Sequence, residues 1–198
     1  MWGICGGSGS GKSYLTAQLV EALGADITVM SFDSYYRDLT HLSFAERCEV
    51  NYDHPDSLEI DLLVAHLAAL HRGETIHAPI YDFASHNRAT AVEVIEPRPL
   101  ILVEGILLLA TPELREQLDY VIYLDAPRDL RLERRVKRDV LDRGRNEEDV
   151  RHNFERVVAP MHDLFVEPHR DAADLVVQVD EDRQVLVRGL VERAPRPV

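Results

Sequence analysis

Residues 6–13 read GGSGSGKS, a glycine and four free positions closed by Gly11, Lys12 and Ser13, and no other segment constrains the fold as strongly. Gly6, Gly7, Gly9 and Gly11, with Ser8 and Ser10 between them, let successive backbone N–H groups turn into one concavity. The helix-forming stretch YLTAQLVEALG follows at once and adds the positive end of its dipole at the same point. Such a loop binds phosphate. It needs a strand before it and a helix after it, so the chain is predicted to be an α/β protein. Lys12 is expected to reach the β- and γ-phosphates of a nucleoside triphosphate, and the Ser13 hydroxyl to ligate Mg²⁺, with Tyr14 beside them on the first helical turn. A merely flexible Gly/Ser turn would need neither the closing Lys-Ser pair nor the helix.

The rest of the chain repeats that rhythm. Short apolar runs alternate with amphipathic segments: strand 2–5, helix 12–23, strand 27–31, helix 57–72, strand 99–103, helix 112–118, strand 119–124 and helix 127–142. A helix near 147–166, a strand at 174–179 and a closing helix near 182–193 complete the series. This pattern predicts a three-layer fold, a doubly wound parallel sheet with helices on both faces and its chemistry at the carboxyl ends of the strands. Residues 75–96 break the rhythm as two extended arms around the polar turn DFASHNR, which predicts a β-hairpin beside the sheet. Only Trp2 to Cys5 are available for the strand that carries the loop, so a truncated edge, or residues lacking before Met1, is expected.

At 198 residues the chain can bury a core without metal or disulfide staples, and it reads as one domain over 1–198. A formal charge of −13 repels nucleic acid and anionic membrane over most of the surface, so neither is an expected partner and an anionic ligand needs a local basic site. Cys5 and Cys48 have no CxxC spacing, which suits a reducing cytoplasm. The richest apolar run, LILVEGILLLA, is interrupted by Glu104, so no membrane span and no targeting leader is expected.

Acidic residues at predicted strand ends carry the next expectations. Asp33 follows ITVMSF, where its carboxylate would serve as general base for an attacking hydroxyl, although it could instead cap the next helix. Glu104 closes the buried strand PLILV, and Mg²⁺ binding explains a charge there most economically. Asp125 ends YVIYL before Ala126-Pro127, where capping of the next helix is at least as good a reading. The basic site is 128–145, with eight of the chain's twenty-two Lys and Arg residues against four acids. Arg131, Arg134, Arg135 and Arg138 fall on one helical face, with Leu132, Val136 and Val140 on another, and Arg143-Gly144-Arg145 could fold over phosphates as part of a lid at about 128–150. An ordinary solvated helix with i, i+4 ion pairs such as Arg135 with Asp139 is the competing reading.

Beyond the loop, the strings FDSYYRDL at 32–39, HLSFAER at 41–47, NYDHPDSL at 51–58, PIYDFASHNR at 79–88, LVEGILLL at 102–109 and RRVKRDVLDRGR at 134–145 resemble the uridine/cytidine kinases, within the P-loop nucleoside kinases. The resemblance runs nearly end to end and implies a P-loop kinase-like fold with a nucleoside-binding hairpin and an Arg-rich lid. It implies that Asp33 is the base for the ribose 5′-hydroxyl, that Tyr36 walls the nucleoside pocket and that Asp53 holds the ribose hydroxyls. Tyr81 and His86 would bond the pyrimidine edge, with Phe83 against the base, Arg135 toward the ribose and phosphate, and Asn153 facing the nucleoside. Arg138, Arg143 and Arg145 would stabilise phosphate charge. The implied reaction transfers the γ-phosphoryl of Mg²⁺-bound ATP, or GTP, to uridine or cytidine. Feedback inhibition by CTP or UTP and a homotetramer are implied by the family alone. One departure is Asp180-Glu181-Asp182-Arg183, where the family commonly has a Pro-Arg-Gly-like turn near the donor base.

Other small-molecule P-loop kinases, phosphoribulokinase-like or pantothenate-kinase-like, share the donor site. Their charged acceptors call for basic partners where this chain offers Asp53, Tyr81 and His86. A nucleotide-dependent binding switch is a reading of another class, and the chain contains neither an NKxD nor a DxxG segment for it. A nucleic-acid-binding helix at 128–145 is opposed by the overall charge and by the lack of interleaved aromatics.

Overall fold

A computed structural model describes residues 1–179 and 189–192. The apolar runs form five parallel strands, β1 (Trp2–Cys5), β2 (Ile27–Ser31), β5 (Leu100–Glu104), β6 (Tyr120–Asp125) and β7 (Leu175–Gln178), in the order β2-β5-β1-β6-β7. Trp2 pairs with Leu102 on one side and with Tyr120 on the other, so β1 is the central strand and not the truncated edge expected from its length. Four residues suffice because both neighbours satisfy its backbone. From β1 the chain runs outward first to one side and then to the other, which opens a crevice at its carboxyl end.

The two faces of the sheet read out the period of two. Met30, Ile101, Val103, Val121 and Tyr123 face one layer, where they meet Leu63, Leu67 and Leu70 of α3 (Ile60–His71) and Leu114 of α4 (Pro112–Arg115). Ile4, Leu100, Leu102, Ile122 and Leu124 face the other, against Leu15 and Leu19 of α1 (Lys12–Leu23) and Leu190 of the helical segment 189–192. Each fully buried leucine contributes about 1.5–3 kcal/mol through removal from water.

The expected hairpin is present as β3 (Ile76–Asp82) antiparallel to β4 (Asn87–Ile95), with a register shift between Pro79 and Tyr81. It is anchored by Arg88, whose guanidinium donates to the carbonyls of Tyr36 at 2.6 Å and Tyr35 at 3.1 Å and pairs with Glu59 at 2.6 Å. Asn87 accepts from the Leu39 amide at 2.7 Å. These bonds fix the hairpin to the segment that leaves β2. A short helix in that segment, α2 (Phe44–Cys48), starts from a capping box of Ser43 and Glu46.

Several boundaries differ from expectation. The helix expected at 112–118 ends at Arg115, because i to i+3 bonds from Gln117 and Leu118 tighten the chain into β6. The long helix is α5 (Arg128–Arg143), ended by Gly144 at φ 62°. The helix near 147–166 is two helices, α6 (Glu147–Asn153) and α7 (Ala159–Phe165), joined by a π-helical turn over Phe154–Val158. Pro160 cannot donate back to the preceding turn, and the wider turn relieves its clash. The closing helix near 182–193 falls mostly outside the described residues, as does the Asp180–Arg183 departure.

Candidate active site

The phosphate loop joins β1 to α1 at the crevice. Ser10 donates its amide to the Gly7 carbonyl at 3.0 Å, and Leu15 closes the first helical turn on Gly11 at 3.0 Å. Gly9 has φ +83°, and a Cβ there would lie 2.2 Å from the carbonyl oxygen of Arg131, so glycine is required both by conformation and by close approach. Lys12 Nζ donates to the carbonyls of Gly6 at 2.8 Å and Gly7 at 3.0 Å, folding back over its own loop. Burial pushes its pKa down, and Glu104, Cys5 and Asp33 oppose that shift.

Ser13 Oγ lies 3.2 Å from each carboxylate oxygen of Glu104. The first turn of α1 and the end of β5 therefore bring two hard oxygen donors together at the mouth of the loop. That donor set fits Mg²⁺, which is commonly held by one or two protein oxygens together with substrate phosphates. Burial raises the Glu104 carboxyl, and Lys12 offsets part of the rise. Tyr14 lies on the exposed side of α1, 46 % exposed, and does not line the cleft described below.

From the loop a cleft of about 750 Å³, counting its open mouth, extends toward the hairpin. Ser8, Asp33, Tyr36, Asp53, Tyr81, Phe83, His86, Arg135, Arg138, Arg143, Arg145 and Asn153 all line it. One end of the cleft thus meets the phosphate loop at Ser8 and the other the aromatic arm. Asp33 sits in the single turn Phe32–Tyr35 after β2. Ser31 occupies the cap position there and no side chain caps, so the capping alternative is not realised. Instead the Tyr36 hydroxyl donates to Asp33 at 3.4 Å. Burial pushes the Asp53 carboxyl up, and Arg135 pulls it down.

Aromatic rings wall the far end. Tyr36 packs on Tyr52 and Tyr81 at centroid distances of 5.1 and 5.0 Å, and Tyr81 on Phe83 at 5.1 Å. His86 adopts φ +51°, and the Tyr52 hydroxyl donates to its carbonyl at 3.4 Å. Its imidazole pKa is lowered by burial, with Arg145 and Arg143 adding to the effect, so the ring is neutral at neutral pH. A neutral imidazole offers one donor and one acceptor, the complement of a neutral heterocycle edge.

The arginines come from α5 and the turn after it. Arg135 donates to Ser8 Oγ at 2.8 Å and to Asn153 Oδ1 at 3.4 Å, bridging the phosphate loop to α6. Arg143 stacks on Phe83, with 4.2 Å from its Cζ to the ring centroid, and Arg145 reaches His86 Nε2 at 3.5 Å. The Arg135–Asp139 ion pair of the competing reading is also present, at 3.7 Å, but on the inner side of the helix. The polar face of α5 is turned inward, since Arg131 and Arg135 are 4 % and 8 % exposed.

Two expectations are corrected. Neither Arg131 nor Arg134 joins the other arginines in the cleft: Arg131 lies behind the loop, donating to the Ala126 carbonyl at 3.2 Å and stacking over Phe154, and Arg134 donates to the Ser10 carbonyl at 3.4 Å. Asp125 does not cap α5, whose cap position is Pro127; it pairs with Arg170 at 2.9 Å and accepts from Gln178 at 2.7 Å. Tyr52 and Asp139 are site residues that sequence reasoning passed over. Tyr52 was findable as the aromatic neighbour of Asp53 in NYDHP, and Asp139 as an acid set among Arg135, Arg138 and Arg143.

Among the described residues, no helix is long and apolar enough to cross a membrane. Residues 1–186 match the model of the phosphoribulokinase/uridine kinase family. The chain is 42 % identical over 192 residues to a uridine kinase of Clostridium perfringens, covering 96 % of this chain and 92 % of that one. It is 46 % identical over 175 residues to a uridine kinase of Chloroflexus aurantiacus, covering 88 % and 84 %. A phosphoribulokinase from Rhodobacter spheroides superposes with a TM-score of 0.65 at 15 % identity, covering 92 % of this chain and 72 % of that one, a likeness of fold alone.

Proposed function

The chain belongs to the phosphoribulokinase/uridine kinase family, and on that premise we propose that it transfers the γ-phosphoryl group of ATP to the 5′-hydroxyl of uridine or cytidine, forming the nucleoside monophosphate. The observation that carries this reading is the single cleft shared by the phosphate loop and the Tyr81–His86 arm. Its acceptor end offers carboxylates for hydroxyls and aromatic rings with a neutral imidazole for a planar base. Arg143 and Arg145 also reach this end, on Phe83 and His86, so it is the carboxylates Asp33 and Asp53 that count against a phosphorylated or carboxylated acceptor.

In this reading the loop amides and Lys12 hold the β- and γ-phosphates. Asp53 accepts hydrogen bonds from the ribose hydroxyls, while Tyr36, Tyr81 and Phe83 confine the base and His86 bonds its edge. Asp33 orients the 5′-hydroxyl in line with the γ-phosphorus and accepts its proton late in the transfer. Ser13 and Glu104 would hold Mg²⁺, which would supply neutralisation of the donor's phosphate charge. Arg135, Arg138, Arg143 and Arg145 offset the charge that spreads over the equatorial oxygens, and their position over the cleft excludes the water that would otherwise hydrolyse ATP.

The whole chain acts as one catalytic domain in this proposal, with GTP as an alternative donor. Two free cysteines, Cys5 and Cys48, are in keeping with a cytoplasmic setting. The family resemblance adds a homotetramer and feedback by CTP or UTP. A panel of uridine, cytidine, ribulose 5-phosphate and pantothenate, each with Mg²⁺-ATP, tests the acceptor. Turnover confined to the two pyrimidine nucleosides is expected, and a preference for either charged acceptor would overturn the assignment.

A further inference from the structure

Asp139 is fully buried, yet it does not line the cleft. Its carboxylate is ringed by four guanidinium groups: Arg138 at 2.8 Å, Arg145 at 3.4 Å, Arg143 at 3.6 Å and Arg135 at 3.7 Å. Its backbone carbonyl also accepts from the amides of Gly144 and Arg145, the latter at 3.0 Å. One residue thus fixes both the chain path through the Arg143-Gly144-Arg145 turn and the side chains on either side of it. All four arginines line the cleft, and two reach across it to Phe83 and His86.

Burying a carboxylate costs several kcal/mol unless partners compensate. Burial alone would raise the Asp139 carboxyl; the arginines, Arg138 and Arg135 foremost, reverse the effect and hold it below the ordinary carboxylate range. Four guanidinium groups gathered in one cleft repel one another, and left alone they would turn outward to solvent. A single interposed carboxylate removes most of that repulsion and still leaves a net positive site for polyphosphate. Arg138 brings both its Nε and a terminal nitrogen to one carboxylate oxygen, Oδ1, each at 2.8 Å, and two contacts restrict the guanidinium more than one would.

We propose that Asp139 is the positioning residue of the lid: touching neither substrate, its carboxylate presets Arg135, Arg138, Arg143 and Arg145 at the spacing in which they meet the transferring phosphoryl group. The proposal rests on the phosphoryl-transfer reading above. It assigns Asp139 an effect on turnover and not on donor affinity, because preorganised charge acts where charge develops in the transition state.

Asp139→Asn keeps the shape and removes the charge. Turnover at saturating uridine and Mg²⁺-ATP is expected to fall by about tenfold or more, while ATP binding measured directly at equilibrium stays unchanged or tightens, since the cleft gains net positive charge. Asp139→Glu, which restores the charge, is expected to recover part of the lost turnover. Placed on an Arg138→Ala/Arg143→Ala background, Asp139→Asn is expected to cost a smaller factor than in the parent, because only Arg135 and Arg145 remain for it to position. Turnover within about twofold of the parent, weakened ATP binding in proportion to lost turnover, or full multiplicativity on the double-Ala background would each overturn the proposal. Limited trypsin digestion decides it independently of any reaction. Cleavage after Arg143 and Arg145 is expected to accelerate selectively in Asp139→Asn, whereas unchanged cleavage there, or a uniform rise at all sites, would contradict it. Should the parent phosphorylate no nucleoside, the functional reading falls while the digestion still judges Asp139.

Discussion

His162 lies on α7 against the back of the phosphate loop, with 9 % of its side chain exposed, and pairs with Glu167 through Nε2 at 3.3 Å. A Cβ on Gly7 would come within 2.5 Å of an Arg131 terminal nitrogen and 2.8 Å of His162 Nδ1, so protonating the ring would place two cations side by side beneath the loop. Burial lowers its pKa from 6.5, Arg131 lowers it further and Glu167 only partly opposes them, leaving about 4. Because the unfolded chain takes up this proton first, its contribution is fully present above 6.5 and is lost as pH falls toward about 4. Between about pH 7 and about pH 4.5 the loss amounts to roughly 2–3 kcal/mol for this one group. His66 and His86, also lowered, act in the same direction, whereas Asp53 and Glu104, whose carboxyls are raised, act in the opposite one. Only the difference between parent and His162→Gln therefore isolates His162. Urea unfolding followed by the fluorescence of the single, buried Trp2 gives the stability at each pH. The variant should lose about 2–3 kcal/mol less than the parent on acidification, and a difference below about 0.5 kcal/mol would refute the reasoning.

Three shorter predictions follow from the cleft. Asp33→Asn should lower kcat by about 10²–10⁴ with the uridine KM within a few fold, read by coupled ATP consumption; near-normal turnover would place the base elsewhere. Gly9→Ala must both adopt φ +83° and displace the Arg131 carbonyl 2.2 Å away, so ATP affinity should fall by about tenfold or more in a direct binding assay. His86→Ala should raise the KM for both pyrimidine nucleosides by about tenfold or more and the ATP KM by much less, since it removes a bond to the acceptor and only a long, 3.5 Å contact to Arg145.

The phosphate loop and the alternating elements were legible because their signals are local. A glycine spacing and a period of two or 3.6 are written in adjacent residues. The hairpin was legible for the same reason. The direction of α5 was not fully so, since an amphipathic pattern separates polar from apolar but cannot tell water from a polar ligand site. Its arginines therefore left a solvated face open as the competing reading. Asp139 matters only because the turn at Gly144 brings Arg143 and Arg145 back onto it. Asp125 read as a cap because its real partner, Arg170, comes from a distant part of the chain. The position of β1 at the sheet centre followed from topology, which strand length does not encode.

The central claim is direct transfer between two ligands bound in one cleft. The most direct measurement follows ATP labelled in its γ-phosphoryl group, mixed with uridine and Mg²⁺, and locates the label by mass spectrometry. The account predicts that the label appears on the uridine 5′-oxygen as UMP, with ATP consumption dependent on the nucleoside. Label released only as inorganic phosphate, at a rate indifferent to uridine or cytidine, would contradict it.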